Sequence, residues 1–310
     1  MPEATRVAAV QIAASIGDVD ANMQQCERLA DQAAVDGAQW IILPEFFTTG
    51  VAFQPDLVNT PLPPDGAATG LLRSLARRHG ATVGGSFLCR DYDGHVRNAF
   101  FLVTPDGEIA GRHDKDLPTM WENCFYVGGQ DKGIIDVGSQ SVGVAMCWEL
   151  IRSQTARRLR GNVDVVVGGS CWWSVPSWSP RNLTRRMEVV NKRNATRAAD
   201  VFARLVGAPV VHAAHCGPIE CRMPWSPLKY KGWTEGGAAV FDATGKALAF
   251  RSREEGPGVV VAEVQLGRAP ATDAIPDDYW LCRRGAVPSL AWSYQRTHGK
   301  RWYAANSPVS

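Results

Sequence analysis

Val142-Gly143-Val144-Ala145-Met146-Cys147-Trp148-Glu149 is an apolar run of strand type that ends abruptly on a thiol. A helix-like segment, Arg152 to Arg160, follows at once. Such strand-to-helix elbows are where α/β enzymes hold a nucleophile up from the end of a sheet. Two other strand ends precede it. Ile41-Ile42-Leu43-Pro44-Glu45 ends on a carboxylate, and His113-Asp114-Lys115 ends on an amine.

The alternation of short apolar runs with helical stretches extends in both directions. Val7 to Ile12, Trp40 to Leu43, Thr82 to Leu88, Arg97 to Val103 and Glu108 to Gly111 read as strands. Asp20 to Val35 reads as a helix with Asp20 as N-cap and Gly37 as stop, and Gly66 to His79 as a second helix. Beyond the elbow come strands at Val163 to Val167, Pro209 to Ala214 and Gly258 to Val264. A charged helix at Arg181 to Arg204 and a hairpin turning at Asp242-Ala243-Thr244-Gly245 complete the set. After Arg268 no clear period is visible. Trp280, Trp292, Trp302 and Tyr303 nevertheless predict a segment that covers something, because such rings seldom stay free in water. The pattern predicts one mixed α/β domain over 1–267 and an irregular C-terminal extension over 268–310.

A chain of 310 residues can bury a large core without disulfide staples. Its formal charge of +2 and the absence of a Lys/Arg block argue against a nucleic-acid surface. No apolar run approaches the roughly 20 residues that cross a bilayer, which argues against a membrane span. Eight cysteines are scattered with no Cys-x-x-Cys pair, and no N-terminal leader pattern is visible. Reduced thiols and a cytoplasmic setting are the expectation.

A thiol, a carboxylate and an amine are together enough for acyl transfer. Glu45 can take the proton of Cys147 and pass it to a leaving amine, while Lys115 and the Trp148 N–H stabilise an oxyanion. Glu122, seven residues beyond Lys115, can hold the lysine or the leaving group. Residue by residue, a plainer reading stays open. A buried cysteine is commonly just a small apolar residue, and Arg112-His113-Asp114-Lys115-Asp116 is equally a solvated charge cluster.

Taken together, the ordered blocks are similar to the nitrilase superfamily of carbon–nitrogen hydrolases. The similarity runs through Val10-Gln11-Ile12, Leu43-Pro44-Glu45, Lys115-Asp116-Leu117-Pro118-Thr119-Met120-Trp121-Glu122, Gly143 to Glu149, and Gly236-Gly237-Ala238. It implies an αββα sandwich with mixed sheets and an extended C-terminal segment, and protomers that pair as a homodimer or assemble into a higher homo-oligomer. It implies Glu45 as general base and acid, Lys115 as oxyanion stabiliser, Cys147 as attacking thiol and Glu122 as a second glutamate. It also implies a covalent thioester or thioimidate hydrolysed by water with no cofactor. The C-terminal extension would then pack at the dimer interface.

Cys147-Trp148-Glu149 and the Lys-x-x-Pro-Thr-x-x-Glu spacing lean toward nitrilases. Ile151-Arg152-Ser153, where nitrilases often carry proline, and His215, near where many members have Asn, depart from the common pattern. Most members cleave amides or carbamoyl groups. The expectation is therefore an amidase acting on an apolar or aromatic acyl group, with a nitrilase, or an acyltransferase on the same site, as alternatives. Trp121, Trp148, Trp172, Trp173 and Phe47 are the candidate pocket rings. Arg152, Arg181 and Arg204 are candidate carboxylate clamps. His212, His215, Cys216 and Cys221 match no common zinc spacing, so no metal is expected.

Overall fold

Strand β1 (Ala4–Ile12) is buried along most of its length, and its alternation sorts residues between two cores. Ala8, Val10 and Ile12 pack in the first core, Val7 and Ala9 in the second. The computed structural model of the chain describes residues 4–177, 181–282 and 286–307. In β2 (Trp40–Ile42), Ile41 joins the first core while Trp40 and Ile42 join the second. In β8 (Val165–Ser170), Val165 and Val167 join the second core and Val166 a third.

Helices close the outer two cores. α1 (Val19–Val35) enters the first through Cys26, Ala30 and Ala33, and α2 (Ala67–His79) through Leu72, Leu75 and Ala76. α3 (Ser153–Leu159) and α4 (Arg181–Val206) enter the third through Ala156, Leu159, Ala199 and Phe202. Among the described residues, the second core takes none from a helix. The layers are thus helix, sheet, sheet, helix: the αββα sandwich that the resemblance implies.

Strands β5 (Ile109–Asp114), β4 (Val96–Val103), β3 (Thr82–Arg90), β2, β1, β9 (Val210–Arg222), β8, β7 (Gln140–Val144) and β6 (Ile134–Val137) pair in that order. The five central pairings, from β3–β2 to β8–β7, are parallel; those at both ends are antiparallel. β10 (Lys229–Phe241) pairs with β9 and with β11 (Ala247–Ser252), and β12 (Gly258–Gln265) pairs with β1. The C-terminal ends of β2, β5, β7 and β8 therefore open on one edge, where α/β sheets place their ligands. Gln11 ties this frame together. Its Nε2 donates to Ser252 O and Gly256 O, and its Oε1 accepts from Gly237 N–H and Ala238 N–H.

Three local expectations change. The N-cap of α1 is Asp18, whose Oδ1 accepts from Ala21 N–H at 3.1 Å; Asp20 falls in the first turn, where its charge suits the helix N-terminus. The β9–β10 hairpin is longer than the apolar runs suggest, because Tyr230, Gly232 and Thr234 alternate inward between exposed Lys229, Lys231 and Trp233. The extension after Arg268 is not irregular throughout: Ala286–Asn306 forms helix α5. Its buried stripe is Gln295, Gly299 and Tyr303, which has helical spacing but little apolar character. A Cβ on Gly299 would lie 2.7 Å from the Cβ of Asn123, so the missing side chain lets α5 lie on the turn Met120–Cys124. Tyr303 Oη accepts from Val96 N–H at 2.9 Å. Among the described residues no helix is long and apolar enough to cross a membrane.

Candidate active site

Lys115 lies just past β5, fully buried, and its Nζ donates to Glu45 Oε1 and to Glu122 Oε2, each at 2.8 Å. Glu45 follows β2 by three residues and is itself buried. Its Oε1 also accepts from Asn98 Nδ2 at 3.0 Å, and its Oε2 from the Cys171 N–H at 2.9 Å, just past β8. His215 Nε2 meets the Glu45 carbonyl oxygen at 2.5 Å. Burial pushes the His215 imidazole down to about 4, so near neutral pH it is uncharged and donates from Nε2. Glu122 Oε2 accepts from Thr119 N–H at 2.9 Å and from the Tyr126 hydroxyl. Glu122 Oε1 is buried and meets no donor among the described residues.

Cys147 begins the turn Cys147–Ile151, between β7 and α3, and only 2% of its surface is exposed. Its φ of 48° is one of four positive values at non-glycine residues among the described residues, and two of the others, Phe46 and Met120, lie next to Glu45 and two residues before Glu122. L-residues hold that conformation only where the surroundings impose it. Packing around the elbow is tight: a Cβ on Gly168 would lie 2.2 Å from Ala145 O, and one on Gly169 2.8 Å from Pro44 Cα. Strand β8 therefore fits between the Cys147 and Glu45 strand ends only because it carries two glycines there.

The charges act on one another. Burial pushes Glu45 up to about 7, with Lys115 pulling against it and Glu122 adding to it. Burial opposes the Lys115 charge, but Glu122 and Glu45 outweigh it and hold the ammonium well above the usual lysine range. Burial and then the Glu45 charge push the Cys147 thiol well above its ordinary value, while Lys115 pulls it down. The thiol is therefore protonated at rest, next to a carboxyl group poised near neutrality.

Two aromatic groups stand near this centre. Trp148 packs on Trp172 at 6.3 Å and on Trp280 at 5.6 Å, and Trp172 shares a packed cluster with Cys147. Trp121 packs on Trp173 at 4.4 Å and on Tyr230 at 5.3 Å. Trp172 Nε1 is fixed on Asn191 Oδ1 and Trp173 Nε1 on Val51 O, whereas Trp121 Nε1 is buried and meets no acceptor among the described residues.

Phe47 does not join these rings. It lies in the first core against Phe87 at 6.0 Å, because the turn at Phe46 reverses the chain's alternation. Phe46 instead lies 6.0 Å from Lys115 Nζ. Arg152 is bound to Asp116, and Arg204 to Asp200 and Asp273, so neither is a ready clamp; the side chain of Arg181 is outside the described residues. His212 bonds Ser170 Oγ at 2.8 Å. No group of three or more His, Cys, Asp or Glu suited to a metal occurs among the described residues. Asn98 and Tyr126 were missed from sequence; the signal for Asn98 was a polar side chain in the otherwise apolar stretch Asn98 to Val103.

A family model described as carbon-nitrogen hydrolase matches residues 6–274. The chain belongs to the carbon–nitrogen hydrolase family. This places it in the nitrilase superfamily. Among relatives in the family, a nitrilase of Pyrococcus abyssi is 30% identical over 159 residues, covering 50% of this chain and 60% of the relative. An omega-amidase of Yersinia enterocolitica is 30% identical over 134 residues, covering 43% and 50%. The chain thus spans about half to 60% of the length of these two relatives. An amidase from Nesterenkonia sp., in a variant with the acetamide moiety of fluoroacetamide added covalently at its active-site cysteine, superposes with TM-score 0.63 and 19% identity. That match covers 88% of this chain and 93% of the amidase. A carbon–nitrogen hydrolase superfamily protein of Xanthomonas campestris superposes with TM-score 0.64 and 18% identity, covering 84% and 91%. At these identities the superpositions speak for the shared αββα fold.

Proposed function

We propose that the protein is an amidase in which Cys147 attacks the carbonyl carbon of an apolar or aromatic primary amide. As the S–C bond forms, the thiol proton passes to Glu45. The carbonyl oxygen becomes an oxyanion held by Lys115 Nζ and the Trp148 N–H. Glu45 returns the proton to the nitrogen, the C–N bond breaks, and ammonia leaves a thioester on Cys147. Water then attacks the thioester, giving its proton to Glu45. The S–C bond breaks, the thiol regains the proton, and the acid departs. A carboxyl group poised near neutrality suits both halves of this cycle.

The observation that carries the amide reading is Glu122 Oε1. It is a buried carboxylate oxygen without a donor among the described residues, on the residue that also anchors Lys115. An unpaired buried acceptor is costly and calls for a partner. An amide NH₂ brings two N–H donors, enough for Glu45 and Glu122 together, whereas a nitrile nitrogen brings none. The nitrilase reading rests on Cys147-Trp148-Glu149 and on the relative from Pyrococcus abyssi. Matched substrates separate the two: the amide and the nitrile of one aromatic acid are offered, and ammonia is measured. The amide is expected to be turned over at least about tenfold faster; the reverse order would replace the amidase reading with the nitrilase one.

The acid limb of the kcat/KM profile follows from Glu45. Its ionised form is the base, so activity is expected to rise with pH through about 7. Glu45→Gln should lower kcat by about 10²–10⁴-fold and remove that limb. A limb surviving in a slow Glu45→Gln enzyme would assign the base elsewhere.

The proposed setting is the cytoplasm, which the seven buried free thiols of Cys26, Cys89, Cys124, Cys147, Cys171, Cys216 and Cys221 support. We also propose a hydrolase domain over 1–267, and a homodimer with the 268–310 extension at its interface. The exposed Leu290 and Tyr294 of α5 support that pairing.

A further inference from the structure

Next to the centre lies a second buried charged group that the reaction scheme leaves unused. His113 is in β5, two residues before Lys115, and is fully buried. Its Nδ1 lies 2.5 Å from Asp131 Oδ1, and its Nε2 lies 3.2 Å from Glu149 Oε2 and 3.3 Å from Oε1. Ionised carboxylates only accept, so a ring with one on each side carries a proton on both nitrogens.

The same carboxylates hold backbone from two elements. Glu149 Oε2 accepts from the Met146 N–H at 2.9 Å, and its Oε1 from the Asp116 N–H at 3.1 Å. Asp131 Oδ2 accepts from the Asp114 N–H at 2.9 Å, and its Oδ1 from the Gly133 N–H at 2.7 Å. Both neighbours of Lys115, and the residue before Cys147, therefore hang from one charged group. Cys147 needs such support, because its positive φ would relax if the turn loosened.

We propose that His113 is a positioning residue: its imidazolium, clamped between Asp131 and Glu149, fixes the Cys147 elbow against the strand end that carries Lys115. The inference rests on the reading of Cys147 as nucleophile, but not on the identity of the substrate. Other charges around the clamp are Arg158 of α3, which approaches Gly133 beside the His113 ring, Asp116, bound to Arg152 and 3.7 Å from Arg158, and Asp114, which repels Asp131 and is bound to Arg112. Burial works against the His113 charge, but Glu149 and Asp131 raise the ring to about 10. Its contribution is therefore present at neutral pH and is lost as pH rises through about 10. Without the Glu149 charge, that loss should move down toward the ordinary histidine value of about 6.5.

The test is the rate at which iodoacetamide alkylates Cys147, read on its peptide by mass spectrometry as a ratio to wild type from about pH 5 to 9. It needs no substrate, so it fails or succeeds separately from the amide reading. His113→Gln is expected to react about tenfold slower or worse at every pH, with kcat on a primary aromatic amide falling in parallel and KM unchanged. Glu149→Gln should stay within about threefold of wild type at pH 5 and fall toward the His113→Gln rate by pH 9. Wild-type rates in folded His113→Gln, or a flat ratio in Glu149→Gln, would overturn the proposal. If either fails to fold, Asp131→Asn, at a carboxylate whose side chain is 37% exposed, decides. A ratio that falls with pH supports the clamp, and a flat ratio at the wild-type level overturns it.

Discussion

Replacing Cys147 by Ala is expected to lower turnover by about 10⁴-fold or more while the protein melts within a few degrees of wild type. The asymmetry follows from what the thiol does in the fold. It is buried among apolar neighbours and protonated at rest, so losing one sulfur atom removes little packing and no charge. Turnover has no such reserve. Neither Glu45 nor Glu122 is free to replace the thiol, because both are bound to Lys115. Steady-state ammonia release together with a thermal melt checks both halves. Retained turnover would remove Cys147 from the chemistry.

Lys115→Met carries the second large effect, and it falls on stability as well as activity. Two buried carboxylates share one ammonium at 2.8 Å each. Breaking a buried ion pair costs about 3–5 kcal/mol, because the abandoned charge stays in a dry site. The loss of an oxyanion donor should lower kcat by about 10²–10³-fold besides. The pH dependence gives a sign. Without Lys115, the burial that already pushes Glu45 up is no longer opposed by the ammonium, so its carboxyl rises further above its unfolded value. The native state then binds protons more tightly than the unfolded chain, so the variant is least destabilised in acid and loses stability as pH rises through neutrality. Denaturant melts at acid and neutral pH check this. Adding Glu122→Gln should restore part of the stability and none of the activity. A variant equally destabilised at both pH values would contradict the charge account.

Some of this centre was legible in the sequence, and the reason is geometric. Glu45, Lys115 and Cys147 each follow a β-strand, so a change from apolar to reactive residue marks the sheet edge. The layers came from the resemblance and not from the pattern, since β1 and β2 read as plain apolar runs and only the folded chain shows successive residues entering different cores. What failed was whatever needed the third dimension. Phe47 seemed to share the fate of its neighbour Glu45, but the positive φ at Phe46 sends it into the core and leaves Phe46 beside Lys115. α5 stayed hidden because its buried stripe of Gln295, Gly299 and Tyr303 reads as polar and small. Asn98 reaches Glu45 from β4, and no spacing in the chain connects the two before the sheet has formed; Tyr126 stands only four residues after Glu122, a local turn spacing that carried the signal.

The glycines show the same division. Gly168 and Gly169 follow three valines in a plain strand run, and only the folded chain shows why side chains are missing there. One faces the Ala145 carbonyl two residues before Cys147, the other the backbone at Pro44 before Glu45. The close approach of three strand ends, rather than any single motif, puts the charges within reach of the thiol.

The most direct test of the account is an acid quench of the wild-type protein during turnover of a primary aromatic amide, followed by peptide mass spectrometry. The thioester scheme predicts an adduct equal to the acyl group minus one hydrogen on the peptide that contains Cys147. It should be absent in Cys147→Ala and should accumulate when amide attack outpaces hydrolysis, as a slow-hydrolysing amide would ensure. Rapid turnover of such an amide with Cys147 unmodified, or with the acyl group on Cys171 instead, would contradict it.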